Sequence, residues 1–347
     1  MKRARSSPSR QRGIGVIELM VALLLGLLVV GGILSIYLSN RSAYRTHQNL
    51  ARVQENARFA FEFLMRDIRE AGAVPCGSRI TANVLRNANT ADMAWWADTD
   101  AGMIRGDDTN VSGAAAISGA AAKVPNTGAL LLLRPAGTDD RQLRVTAHDP
   151  GAATFTLAST GGVESGDLVL VCDSFSAALL QVGTVTGATN TVSYAGTAHN
   201  CTTRLGSVLA RCGTPSDKTF TTGSVMSRWG PAYSDLGRNG RGTTSLYRIA
   251  LAKSSAGASP TIGTGASEMI PGVSGLRIEY LVRNASGAIV GSWETADKFT
   301  TGWNSTARQV VAVRVRLTLV SEDAVGSNGQ PLTRTLVAVA ALRNVAP

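Results

Sequence analysis

The 347-residue sequence predicts an α+β protein, with one long N-terminal α-helix, its N-terminal half transmembrane, packed on an antiparallel β-sheet head. Three observations predict it. From Ile14 to Leu38 the chain is apolar apart from Glu18, a few glycines and Ser35, 25 residues where about 20 suffice to cross a bilayer. From Ile33 to Ala71 the only breakers of helical pattern are absent, and Leu50, Val53, Ala57, Ala60, Phe61, Leu64 and Ile68 recur at spacings of three and four. Beyond residue 124, short β-branched segments alternate with Gly, Asn, Asp and Pro, the pattern of antiparallel strands and turns.

Taken in order, residues 1–13 form a basic leader with Lys2, Arg3, Arg5, Arg10 and Arg12 and no acid. By the positive-inside rule that leader stays cytoplasmic and sends everything after Leu38 across the membrane. A cleaved secretory signal fits poorly, because the apolar run is too long and no A-x-A-like site follows it. Residues 14–38 are thus the membrane helix and 39–71 an amphipathic stalk, one continuous helix of roughly 85 Å at 1.5 Å per residue. Gly72 and Pro75 end it. Residues 72–347 form the head. It opens with an irregular excursion from Cys76 to Val124, in which Trp95 and Trp96 dock against the rest. Strand signals follow at 130–133, 142–146, 154–157, 167–172, 179–185, 191–194, 224–229, 245–251, 276–283, 310–320 and 332–342.

Composition narrows the function. The formal charge is +10, but five of the cations lie in the leader and the rest are dispersed, so nucleic acid is not an expected partner. Only His47, His148 and His199 are present, and the acids Asp98, Asp100, Asp107 and Asp108 lack calcium-loop spacing. Gly237 to Gly242 reads as a flexible turn and not a phosphate loop, since it does not open a helix after a strand. The reading assigns no catalytic residue, metal or cofactor. Four cysteines form an even set without a CxxC pair. Cys201 and Cys212 are the first candidate disulfide, closing a small loop worth roughly 2–3 kcal/mol, and Cys76 with Cys172 the second, while four free thiols stay open as the alternative.

Glu18 carries the functional argument. A carboxylate in hydrocarbon costs about 2.5–3.5 kcal/mol, so it either snorkels to the headgroups or meets a cation from a neighbouring helix. Ala22 and Gly26 form a small-xxx-small pair that admits such a helix closely.

The stretch Gly13-Ile14-Gly15-Val16-Ile17-Glu18-Leu19-Met20 resembles the class III signal of type IV prepilins. The resemblance implies that a prepilin peptidase cuts between Gly13 and Ile14, that Ile14 is then N-methylated, and that Glu18, at the fifth mature position, sets assembly register against the N-terminal ammonium of an adjacent subunit. Ile14 replaces the commoner Phe, and the helix lacks the proline that major pilins carry near Ser35. The stalk from Arg45 to Glu70, with Gln54-Glu55-Asn56-Ala57-Arg58-Phe59-Ala60 and Arg66-Asp67-Ile68-Arg69-Glu70-Ala71-Gly72, is similar to PilW-type minor pilins. So are Gly166 to Asp173, Val273 to Tyr280 and Ala341 to Asn344. The resemblance implies a pilin-like fold and a minor pilin that helps prime a type IV pilus serving twitching motility, adhesion or DNA uptake. Its implied partners are the peptidase, other minor and major pilins, the inner-membrane assembly platform and, before assembly, membrane lipid. It would start in the bacterial inner membrane with its head in the periplasm and end in the extracellular pilus. A J-type pseudopilin of a type II secretion system and a non-polymerising tethered adhesin are the alternatives.

Overall fold

A computed structural model of the protein describes residues 15–86, 96–107, 123–136, 143–206, 216–250, 266–299, 303–305, 308–326 and 328–342. The chain runs α1 (Val16–Glu70), β1 (Ile80–Asn83), β2 (Ile104–Asp107), β3 (Ala129–Leu132), β4 (Leu143–Asp149), β5 (Thr154–Leu157), β6 (Leu168–Cys172), β7 (Ala177–Gln181), β8 (Val185–Thr186) and β9 (Thr191–Ser193). It continues through β10 (Val225–Arg228), β11 (Ala232–Arg238), β12 (Thr244–Ala250), β13 (Ala266–Pro271), β14 (Val273–Arg283), β15 (Ile289–Glu294), β16 (Asn304–Ser305), β17 (Arg308–Val320) and β18 (Thr333–Ala341). Two compact units result: Met1–Arg52 with Ser321–Leu332, and Val53–Val320 with Thr333–Pro347. The second is the β-rich head.

The apolar spacing of α1 explains which of its faces is buried in the head. Val53, Ala57, Ala60, Leu64, Met65 and Ile68 share one stripe and join Leu130, Leu132, Leu236, Leu246, Ile278, Val315 and Leu317 in a single core. The helix stops at Gly72, whose positive φ of 69° suits a residue without Cβ and whose N–H donates to the Leu133 carbonyl at 2.8 Å. That bond ties the end of the helix to the residue after β3.

Among the described residues, three sheets build the head. Eight strands run in the order β1-β7-β6-β10-β4-β5-β9-β8, and five in the order β13-β12-β11-β3-β2. The third contains β15-β14-β17, with β16 and β18 also pairing β17. In β17 the inward Val313, Val315, Leu317 and Leu319 are buried while Arg314, Arg316 and Thr318 face outward, the period-two alternation of a strand with one buried face. Gly106 on β2 lets the Tyr280 ring of β14 approach: a Cβ there would stand 1.9 Å from the Tyr280 hydroxyl.

The structure corrects several expectations. The region from Cys76 to Val124 is not wholly irregular, since it supplies β1 and β2, and Val84, Leu85, Trp96 and Ala97 are buried. Trp96 docks as expected, whereas Trp95 lies outside the described residues. β1 pairs with β7 in parallel, an exception to the antiparallel rule. The strand expected at 179–185 sits at Ala177–Gln181, and Gly183 beyond it passes close to another segment, since a Cβ there would meet the Ala195 carbonyl at 2.7 Å. The Gly237 to Gly242 stretch is an ordered hairpin turn, pinned by buried Asn239: its Oδ1 accepts the Arg241 and Thr243 N–H groups, and its Nδ2 donates to Ser245.

Candidate functional site

The chemistry of the N-terminal helix follows from its surface. It is long and apolar enough to cross a membrane, and none of that window is buried within the chain. Gly15, Ile17, Glu18, Val21, Ala22 and Leu25 line a shallow groove along one helix face, as positions three and four apart must. The helix surface at Gly26 is open to a close neighbour, with nothing within 4 Å of a Cβ built there. Glu18 is exposed and accepts the Gly15 N–H at 3.4 Å, capping the first turn where the helix dipole favours an anion. Sequence reasoning missed this local role. Gly13 and Ile14 lie outside the described residues.

The segment 321–332 grips the helix within its own unit. Asn49, nearly fully buried, donates from Nδ2 to Asp323 Oδ2 at 3.0 Å and accepts the Asp323 N–H at 3.3 Å. Thr46 donates to the Val325 carbonyl at 3.3 Å, and Arg52 meets Glu322 at 3.3 Å. Ser321 closes the loop, accepting the Leu332 N–H and donating to the Asp323 carbonyl. Because Asn49 satisfies both a donor and an acceptor, Asn49→Ala should destabilise this clasp by about 1–2 kcal/mol. Hydrogen exchange should read it as faster exchange at the Asp323 and Leu332 amides, with exchange in β11 and β12 unchanged.

In the head, the C-terminal turn of α1 carries a buried ion cluster. Arg134 is 1% exposed and pairs with Asp67 at 3.0 Å and Glu70 at 2.7 Å, while Arg248 approaches Asp67 at 3.6 Å. Burial raises the Asp67 carboxyl to about 6 despite the opposing Arg134 charge. Asp67 sits between Leu64 and Ile68 on the buried stripe, the one sequence signal that a cation had to follow it inside. Asp235, fully buried on β11, is likewise raised to about 6 by burial, with Lys123 at 3.4 Å and the Leu236 N–H opposing.

The eight-stranded sheet holds a neutral histidine. His148 stacks on Phe155 at 4.1 Å, its Nδ1 accepts the Phe220 N–H at 3.0 Å, and its Nε2 lies 2.9 Å from the Tyr194 hydroxyl. Burial lowers it from 6.5 to about 4. An unfolded chain takes up this proton near 6.5 and the folded one only near 4, so stability present above 6.5 is lost as pH falls through that window. Asp67 and Asp235 act with opposite sign, each favouring the fold as pH falls from about 6 toward 3.8. His148→Phe should therefore remove an acid-destabilising slope of up to about 2 kcal/mol, read from urea midpoints between pH 7 and pH 4.5.

Cys76 and Cys172 form a disulfide, the second of the two expected pairs. Cys201 is also disulfide-bonded, which removes it as a thiolate for zinc beside His199, and Cys212 lies outside the described residues. His199 is fully buried, with Nδ1 2.9 Å from the Arg86 carbonyl and its ring against Trp96. Among the described residues, no group of three or more His, Cys, Asp and Glu could hold a metal ion.

Residues 236–344, which run from the end of β11 through β18, match the family model described as Type IV Pilus-assembly protein W, PilW. No curated protein and no solved structure matches the chain. Long, lipid-compatible helix and matching sheet together point one way: in its C-terminal part this chain is similar to the PilW family of type IV pilus-assembly proteins.

Proposed function

We propose that the chain is a minor pilin of a type IV pilus, a structural subunit that helps prime pilus assembly. The observation that carries this reading is the PilW match at 236–344 behind an unburied apolar helix with a carboxylate in its first turn. In this reading the helix holds the chain in the inner membrane, with its head in the periplasm, until a prepilin peptidase cuts between Gly13 and Ile14. Ile14 is methylated, and Glu18 then exchanges its Gly15 contact for the N-terminal ammonium of a neighbouring subunit, which fixes axial register. The groove at Ala22 receives that neighbour's helix.

N-terminal mass spectrometry of the chain expressed with and without a prepilin peptidase tests the reading. A chain starting at N-methylated Ile14 only when the peptidase is present is the expected result. A Met1 start in both hosts, or a cut beyond residue 38, sinks it. Glu18→Ala should leave processing intact and reduce recovery in sheared filaments roughly a hundredfold, the weight of an ion pair made in lipid. Unchanged recovery would assign the chain to a non-polymerising tether. Cofractionation with a type II secretion assembly in place of pili would assign it to the J-type pseudopilins.

A further inference from the structure

The sheet formed by β14, β17 and β18 ends in an edge that natural proteins normally blunt. β18 pairs with β17 along nine residues, from Ala312↔Ala341 to Val320↔Thr333, and among the described residues it has no strand on its other side. From Thr335 to Ala341 it carries no charge, proline or bulge, and Leu336, Val337 and Val339 are 39%, 49% and 52% exposed. A row of main-chain donors and acceptors with apolar side chains beside it selects one kind of occupant, an extended backbone.

The charges on the same face say which side chains that backbone carries. Arg314 lies opposite Val339, and Arg316 opposite Val337, so these arginines share a face with the exposed valines. Across β14, Arg277 stands directly opposite Arg316, a like-charge pair that is unfavourable on its own. One carboxylate answers the three guanidinium groups: Glu279 contacts Arg314 at 2.6 Å, Arg277 at 3.3 Å and Arg316 at 3.8 Å. Those cations hold the Glu279 carboxyl below its ordinary value against the effect of burial, and the cluster keeps an excess of positive charge beside the open edge.

We propose that β18 is a docking edge for an extended, acidic strand of a neighbouring filament subunit, which adds to the sheet by main-chain pairing and turns its carboxylates toward Arg314 and Arg316. The identity of the neighbour as a filament subunit rests on the minor-pilin reading. The edge and its charge preference do not.

The experiment uses the full chain in detergent micelles and two nine-residue peptides, one alternating Val with Glu and one alternating Val with Lys. Hydrogen exchange at the β18 amides is the readout. The Glu peptide should slow it about tenfold more than the Lys peptide does. Arg316→Glu, which leaves two arginines against two carboxylates, should abolish that preference, and Val337→Lys combined with Val339→Lys should abolish protection while exchange in β14 stays as in the parent. No protection by the Glu peptide, equal protection by both, or protection of the arginine face by a duplex oligonucleotide and not by the peptide overturns the proposal. Failure of processing at Gly13 sinks the pilin reading and leaves this result standing.

Discussion

Arg134→Leu should cost the head about 3–5 kcal/mol, because it takes from buried Asp67 its nearer cation at 3.0 Å and from Glu70 the cation at 2.7 Å. The size of the effect comes from burial. Asp67 is 3% exposed, so water cannot replace the guanidinium, and the carboxyl must either protonate or keep its charge with only the longer Arg248 contact at 3.6 Å to answer it. Its value, already about 6, rises further when Arg134 is removed. The loss is therefore greatest at neutral pH and shrinks as pH falls toward 5, where the carboxyl carries its proton in the folded state. Urea unfolding at pH 7.5 and pH 5 reads both the loss and its direction. The double substitution Arg134→Leu with Asp67→Leu should recover part of the stability at pH 7.5, since replacing a buried pair as a whole is far milder than halving it. A double variant as unstable as Arg134→Leu alone would show that shape, and not charge, is what the cluster provides.

Cys76→Ser with Cys172→Ser should lower the stability of the head by about 2–5 kcal/mol, the range for a native disulfide closing a long loop. The cysteines are 96 positions apart, and the bridge joins the segment just after α1 to the end of β6. It also supports the parallel pairing of β1 with β7, because Cys76 precedes β1 by a few residues and Cys172 precedes β7 by a similar number. Without a covalent staple this short parallel register, Ile80↔Ala177, Ala82↔Ala178 and Asn83↔Leu179, rests on hydrogen bonds such as Ala177 N–H to the Arg79 carbonyl and Val84 N–H to the Leu179 carbonyl. Hydrogen exchange of the double variant should accordingly show β1 losing protection before β6. An unchanged urea midpoint would refute the assignment of this bridge as a main constraint on the unfolded chain.

The helix was legible because its signals agree. The apolar run, the three-and-four spacing and the terminal Gly72 all mark one element, and the helix ends at Glu70, one residue before the expected Ala71. Strands with alternating or continuous aliphatic residues, such as β6, β14 and β17, were also legible. β11 was not, because Ser234 and Asp235 interrupt its apolar pattern although the strand is buried on both faces; Tyr233 and the Leu236 N–H satisfy the Asp235 carboxylate from within the strand. β1, β2, β13 and β15 escaped for a related reason. They are short, carry Thr, Asn, Gly or Ser, and are stabilised by the strand beside them more than by their own pattern.

Glu18 and the small residues at 22 and 26 stand out in the sequence because a charge in an apolar run and a small-residue spacing are local features, and the structure places all three on the exposed surface of α1. The pairing of Cys76 with Cys172 was only the second choice, since cysteine spacing does not encode connectivity. The grip of Asn49 on Asp323 was invisible, for it joins positions 274 apart through two ordinary hydrogen bonds.

That grip has a mechanical consequence. A tensile load applied along α1 has two ways onward, one covalent through the helix backbone toward Val53 and one non-covalent, through the side-chain bonds of Asn49 and Arg52 to segment 321–332, whose backbone continues into β17 and β18. Shear on the second route is resisted by several side-chain bonds acting in parallel, and the terminal pair Val320↔Thr333 is the first rung it strains. The chain thus has a load-sharing bypass around the middle of its own helix, and the force needed to extend it depends on a loop far from the point of attachment.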